Sequence, residues 1–120
     1  MATRLTEAQE AAACSIAQQV CSGQMTKPAG VAKLESEYGL KRTTASILIN
    51  VYQALLAGRE FRRTTSASAM RGFIESIQSN HGAAGLANAL NALRLHILYF
   101  EDHYKTTMTS MRAVESVLRA

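Results

Sequence analysis

The sequence predicts an all-α protein, a compact bundle of about six helices. β-branched and aromatic residues nowhere alternate for more than a few positions, so strand signals are nearly absent. Apolar residues instead recur at intervals of three and four, and glycines or hydroxyl residues stand where such stripes begin and end.

The first helix is expected near 6–22: Thr6-Glu7-Ala8-Gln9 has capping-box spacing, Ala8, Ala12, Ile16 and Val20 form the apolar stripe, and Gly23 stops it. Pro28 opens a second, short helix with Val31, Leu34 and Tyr38 facing inward until Gly39. Thr43 or Thr44 caps a third, whose Leu48, Val51, Tyr52 and Leu55 run to Gly58. After a basic connector, Arg59 to Thr64, the Thr65-Ser66 pair caps a fourth helix carrying Met70, Phe73, Ile74 and Ile77, closed by Asn80-His81-Gly82. A fifth runs from about 84 to 103 with Leu86, Leu90, Leu93, Ile97 and Phe100 at near-heptad intervals. A sixth follows from 107 with Met108, Met111, Val114 and Leu118 on one face.

At 120 residues, 48% hydrophobic and 18% charged, with one proline, the chain reads as one globular domain, 1–120, rather than a disordered segment. No stretch approaches the ~18 apolar residues of a membrane span, and Met1–Thr6 lacks a signal-peptide core, so the expectation is a cytoplasmic protein without a membrane partner. Cys14 and Cys21 lie on one expected helix, separated by roughly 10 Å along its axis, too far to bridge each other. Two cysteines and no paired histidines at ligand spacing argue against zinc, and no cofactor is expected.

Net charge is a modest +4, but its distribution is uneven. Residues 41–71 hold Lys41, Arg42, Arg59, Arg62, Arg63 and Arg71 against Glu60 alone, while both flanks are close to neutral. Five of these six bases are arginine, whose planar fork suits phosphates and guanine edges. Concentrated charge of one sign costs self-repulsion that a polyanion relieves, although a solvated polar face accounts for the same composition.

Residues 31–57 have a helix-turn-helix outline, with Gly39 in the turn and Leu40 just after it. In a major groove, Lys41, Arg42, Thr43, Ser46 and Asn50 would face the bases, with Asn50 suited to adenine. A plain helical hairpin has the same outline. A second constellation is Arg59-Glu60-Phe61-Arg62-Arg63-Thr64-Thr65-Ser66, where the hydroxyls and the Arg62/Arg63 pair at a helix N-terminus form a phosphate seat, or simply a cap with exposed arginines. A third is the strip Gly85, Ala89, Ala92, His96, Tyr99 and His103, whose small residues admit a close helix neighbour. Arg94 and Glu101 read as surface residues. No nucleophile–base pair, carboxylate pair or glycine-rich phosphate loop is present in the sequence, and neither an enzymatic activity nor a small-molecule substrate is expected.

From Gly58 to Glu101 the order Gly58, Phe61, Arg63-Thr64, Ser66, Ala69, Phe73, Ile77, Gly82, Leu86, Ala89-Leu90, Ala92-Leu93, His96-Ile97 and Tyr99-Phe100-Glu101 resembles the helical N-terminal region that precedes the nuclease domain in HNH-type restriction endonucleases. Leu34 to Gly39, Met108 and Met111-Arg112 are similar to its flanks. The resemblance implies a DNA-recognition module, with modified DNA among its targets, and carries over Arg63, Thr64, Ser66, His96 and Tyr99 as contact residues. The metal-binding histidines and asparagine of the nuclease part have no counterpart, so the expectation is the recognition domain of a longer protein. The sequence therefore points to a duplex-DNA-binding domain, with Arg42, Arg59, Arg62, Arg63 and Arg71 on the phosphates. The alternative is a protein-interaction or homodimerisation module built on the small-residue strip and the methionines of the last helix.

Overall fold

The computed structural model describes residues 5–119. Their regular structure consists of five helices, α1 Glu7–Cys21, α2 Lys27–Tyr38, α3 Arg42–Ala57, α4 Ala67–Tyr104 and α5 Thr109–Arg119, and no strand occurs among the described residues. The all-α expectation holds, with five elements in place of six. The readings made on Met1–Arg4 and on Ala120 lie outside the described residues. The chain divides into two compact units at Gln53/Ala54, inside α3.

In the N-terminal unit, α1 begins with the expected capping box: Thr6 Oγ1 accepts from Gln9 N–H, and the Gln9 side chain accepts from Thr6 N–H, both at 3.0 Å. Thr26 caps α2 ahead of Pro28, its Oγ1 accepting from Ala29 N–H at 3.3 Å. The two helices pack together around Ala13, Ile16, Ala17 and Leu34, with Ile49 of α3 reaching Gly30. Ala8 is exposed, so the inward stripe of α1 starts a turn later, at Ala12. Tyr38 is 37% exposed instead of inward-facing, because α2 ends there. Past Gly39 the chain turns back, and Leu40 takes the buried position, its N–H donating to Leu34 O. This early anchor lets α3 start at Arg42, with Lys41 O accepting from Ala45 N–H; Thr43 and Thr44 thus lie in the first turn and are not its cap.

In the C-terminal unit, Gly58 ends α3 at φ 74°, a left-handed conformation that glycine adopts without strain. Two side chains of α4 satisfy carbonyls at that end: Asn88 Nδ2 donates to Leu56 O at 3.2 Å and Asn91 Nδ2 to Gly58 O at 3.0 Å. Ser66 caps α4 as expected, its Oγ accepting from Ala69 N–H. The stop signal at Asn80-His81-Gly82 ends the first helical segment as expected: Gly82, at φ 68°, ψ −154°, is non-helical, so α4 is two helical segments joined across a kink and counted as one element.

That one residue redirects the chain. In a straight helix, residues eight apart are separated by about 12 Å. A Cβ on Gly85 would instead stand 3.1 Å from Ile77 Cγ2 and 3.2 Å from Ile77 O. The two halves of α4 are therefore folded against each other. Phe73, Ile74 and Ile77 of the first half and Ala89, Leu93 and Ile97 of the second are all buried.

Helix α5 packs on α4 and is pinned by two carboxylates. Glu101 accepts from Met108 N–H at 2.8 Å and from Arg112 Nε at 2.7 Å. Glu115, 4% exposed, lies between Arg94 at 2.8 Å and Arg119 at 3.0 Å. Arg94 and Glu101 are thus tertiary contacts, and not the plain surface residues their spacing suggested. No helix among the described residues is long and apolar enough to cross a membrane.

Candidate nucleic-acid interface

The sequence-predicted residues fall in both units. On α3, Arg42, Ser46 and Asn50 follow at intervals of four along one strip, with Thr43 beside them. Lys41, Arg42, Thr43 and Asn50 are exposed and Ser46 is half-buried. Two of these groups already have partners: Arg42 is 3.9 Å from Glu35, and Asn50 Oδ1 accepts from Lys27 Nζ. An adenine-reading role for Asn50 would require breaking that hydrogen bond.

The second group lies on the connector between α3 and α4, residues 58–66. It has no regular secondary structure, yet it is held at several points. Phe61 is 8% exposed and stacks on His96 of α4 with ring centroids 4.2 Å apart. His96 Nδ1 lies 2.7 Å from Phe61 O, so Nδ1–H donates to that carbonyl. One residue on, the Arg62 guanidinium lies 5.0 Å from the centre of the Tyr99 ring and 3.5 Å from Glu60. Tyr99 stacks in turn on His103.

With Phe61 turned inward, Arg59, Arg62, Arg63 and Thr64 are left exposed. Among the described residues, Lys41, Arg59 and Arg63 have no ion-pair partner. Arg71, one turn into α4, pairs with Glu75 at 3.4 Å. The connector thus presents two uncommitted guanidinium groups from a backbone fixed by its neighbours.

Beyond Arg63 the connector forms one wall of a cleft of about 410 Å³. Thr64, Thr65 and Ala67 line it together with Thr106, Thr107, Thr109 and Ser110, and Phe100, Met108 and Met111 give it apolar lining. The starts of α4 and α5 both border it, and the helix dipole favours negative charge at both. Ser66 serves α4 as its cap, so of the expected phosphate seat Thr64 and Thr65 face this space. The hydroxyl run 106–110 was not among the sequence candidates. Its composition was the available signal, but only the fold brings it into one cleft with Thr64.

His96 cannot be a surface contact. It is fully buried, its Nε2 has no hydrogen-bond partner, and burial holds its pKa below the ordinary 6.5, opposed in part by the Phe61 carbonyl and the charge of Glu60. It acts on the connector from beneath, and Tyr99 lies under the Arg62 guanidinium. Neither His96 nor His103 lines the cleft. The small-residue strip is also occupied: Gly85, Ala89 and Ala92 are buried, as is Met111, so they offer no surface to a second chain. Among the described residues no three His, Cys, Asp or Glu side chains come together as a metal site, and both cysteines are free. No known family, curated protein or solved structure matches the chain.

Proposed function

We propose that the chain is a cytoplasmic DNA-binding specificity domain, in keeping with its resemblance to the recognition region of HNH-type restriction endonucleases. It binds duplex DNA mainly through phosphate contacts from the connector 59–64, and cleavage belongs to a separate domain of a longer protein. The observation that carries this reading is the pair Arg59 and Arg63, exposed and without acidic partners, on a segment that Phe61 and His96 hold in place. An arginine already paired within its own protein gains little from a phosphate, whereas an unpaired one releases counterions on binding. The hydroxyls of Thr64 and Thr65 then extend the phosphate track toward the cleft.

The test is binding of a labelled duplex measured against salt concentration by fluorescence anisotropy. Arg59→Ala/Arg63→Ala should weaken binding and reduce the slope of log K against log salt by about two. Arg62→Ala should change the slope less, because its guanidinium is engaged by Glu60 and Tyr99. Absence of binding at low salt, with a mass that rises with concentration, would replace this reading with the dimerisation module, using exposed apolar residues such as Leu98 and Val117.

A further inference from the structure

We infer that the His96–Phe61 contact is an acid-sensitive latch that fixes the arginine connector to α4 while the imidazole is neutral and releases it when the ring takes up a proton. The geometry determines which nitrogen is free. A carbonyl can only accept, so the 2.7 Å contact with Phe61 O places the proton of the neutral ring on Nδ1. Nε2 is then a bare lone pair in a fully buried site without a hydrogen-bond partner. Phe61 covers the ring face to face, and Phe100 lies against it at 5.8 Å.

Adding a proton to Nε2 places a cation and an unanswered N–H among aromatic rings, which the site accommodates only by admitting water. Phe61 is on a segment without helical hydrogen bonds, whereas Phe100 is within α4, so the connector is the part that gives way.

The charges around the ring do not relieve it. Glu60, on the connector, is the acidic group that favours the cation, but it is also 3.5 Å from Arg62. On α4, Tyr99 carries Arg62 over its ring and stacks on His103. From α5, Arg112 is taken by Glu101, and Glu115 by Arg94 and Arg119. The last turn of α3 in this unit, Ala54 to Ala57, has no titratable side chain. A folded-state pKa below 6.5 means the unfolded or released state binds the proton more readily. The latch is thus fully closed above about pH 6.5 and weakens as pH falls below it.

The latch itself is independent of any ligand; its effect on DNA binding rests on the reading above. Long-range 1H–15N correlation spectra of the free protein report the tautomer and titration of His96. Hydrogen exchange of the connector peptide, corrected for intrinsic rate, reports its release over the same pH range. The expected result is an Nδ1–H ring at pH 7.5 that titrates below the ordinary range, and connector protection that falls by up to about tenfold per pH unit from about pH 6.5 and levels off at the ring's own pKa. His96→Asn, which keeps an N–H donor for Phe61 O without a titrating group, should leave connector exchange independent of pH.

A ring titrating at or above the ordinary range, connector protection that does not change between about pH 6.5 and the ring's pKa, or an unchanged pH dependence in His96→Asn would overturn the latch. If the variant does not fold, the wild-type ring titration and connector profile decide alone. Failure of the protein to bind duplex at pH 7.5 would remove the DNA reading and leave these ligand-free measurements standing.

Discussion

Gly82 offers a substitution whose sign depends on handedness. At φ 68°, ψ −154° its backbone occupies a region that side chains of L-residues rarely enter, at a cost of about 1–3 kcal/mol. A Cβ there would meet nothing within 4 Å, so Gly82→Ala adds no collision and the loss is backbone strain alone. The mirror image of those angles, φ −68°, ψ 154°, is the polyproline region in which an L-alanine is at ease, and the native angles therefore suit D-alanine. D-Ala should stabilise by roughly 0.4–1 kcal/mol, by narrowing the unfolded ensemble while keeping the native turn. The two isomers, introduced by semisynthesis and compared by urea unfolding, should differ by about 1–3 kcal/mol, the strain that the L isomer alone bears, since both narrow the unfolded ensemble alike. They have the same composition and apolar area, so hydrophobicity cannot account for the difference. Equal stabilities would refute the account of α4 as two helical segments redirected by one left-handed residue.

Phe61→Ala should cost about 3 kcal/mol, combining the lost burial with the lost stack on His96, and a smaller loss would mean that the connector is not anchored there. For Glu101 the bonds from Arg112 and Met108 N–H hold the carboxyl down at about 2, against burial, so its contribution is complete above about pH 4.5 and lost as pH falls toward 2. Glu101→Gln should therefore be less stable than wild type at pH 7 and converge on it in acid, whereas a gap independent of pH would contradict the assigned role. At Glu115 burial raises the carboxyl pKa, and the hydrogen bonds and charges of Arg94 and Arg119 more than reverse it, leaving the group lowered and ionised at neutral pH. Glu115→Ala, which leaves both arginines without their carboxylate, should be more destabilising at pH 7 than Arg119→Ala, as judged by thermal unfolding.

Most helix boundaries were legible because caps are local: Thr6, Gly39, Gly58 and Ser66 act within three or four residues of where they stand. The turn at 80–82 was legible as the break it is, because Gly82 leaves helical angles where the Asn80-His81-Gly82 signal stands, although the two segments count as one element. The connector could be read as basic and exposed. What fixes it could not, because His96, Asn88 and Asn91 come from some 30 residues further along and pair with backbone carbonyls, which leave no mark in a sequence. A histidine beside small residues reads more readily as a packed ring than as a ligand, and so His96 is; the contact role that the resemblance carried over to it is what the fold removes. Glu101 and Glu115 look like any acidic residues on a polar helix face until α5 supplies their arginines.

The anchored connector also sets when its ordering is paid for. Fixing one residue's backbone costs about 1–2 kcal/mol, and for Gly58 through Ser66 that cost is met during folding, by Phe61, His96, Asn88, Asn91 and the Ser66 cap. A polyanion arriving at Arg59 and Arg63 would then meet guanidinium groups on backbone that is already ordered. Its association should carry a smaller entropic penalty than binding to a loop of the same composition left untethered.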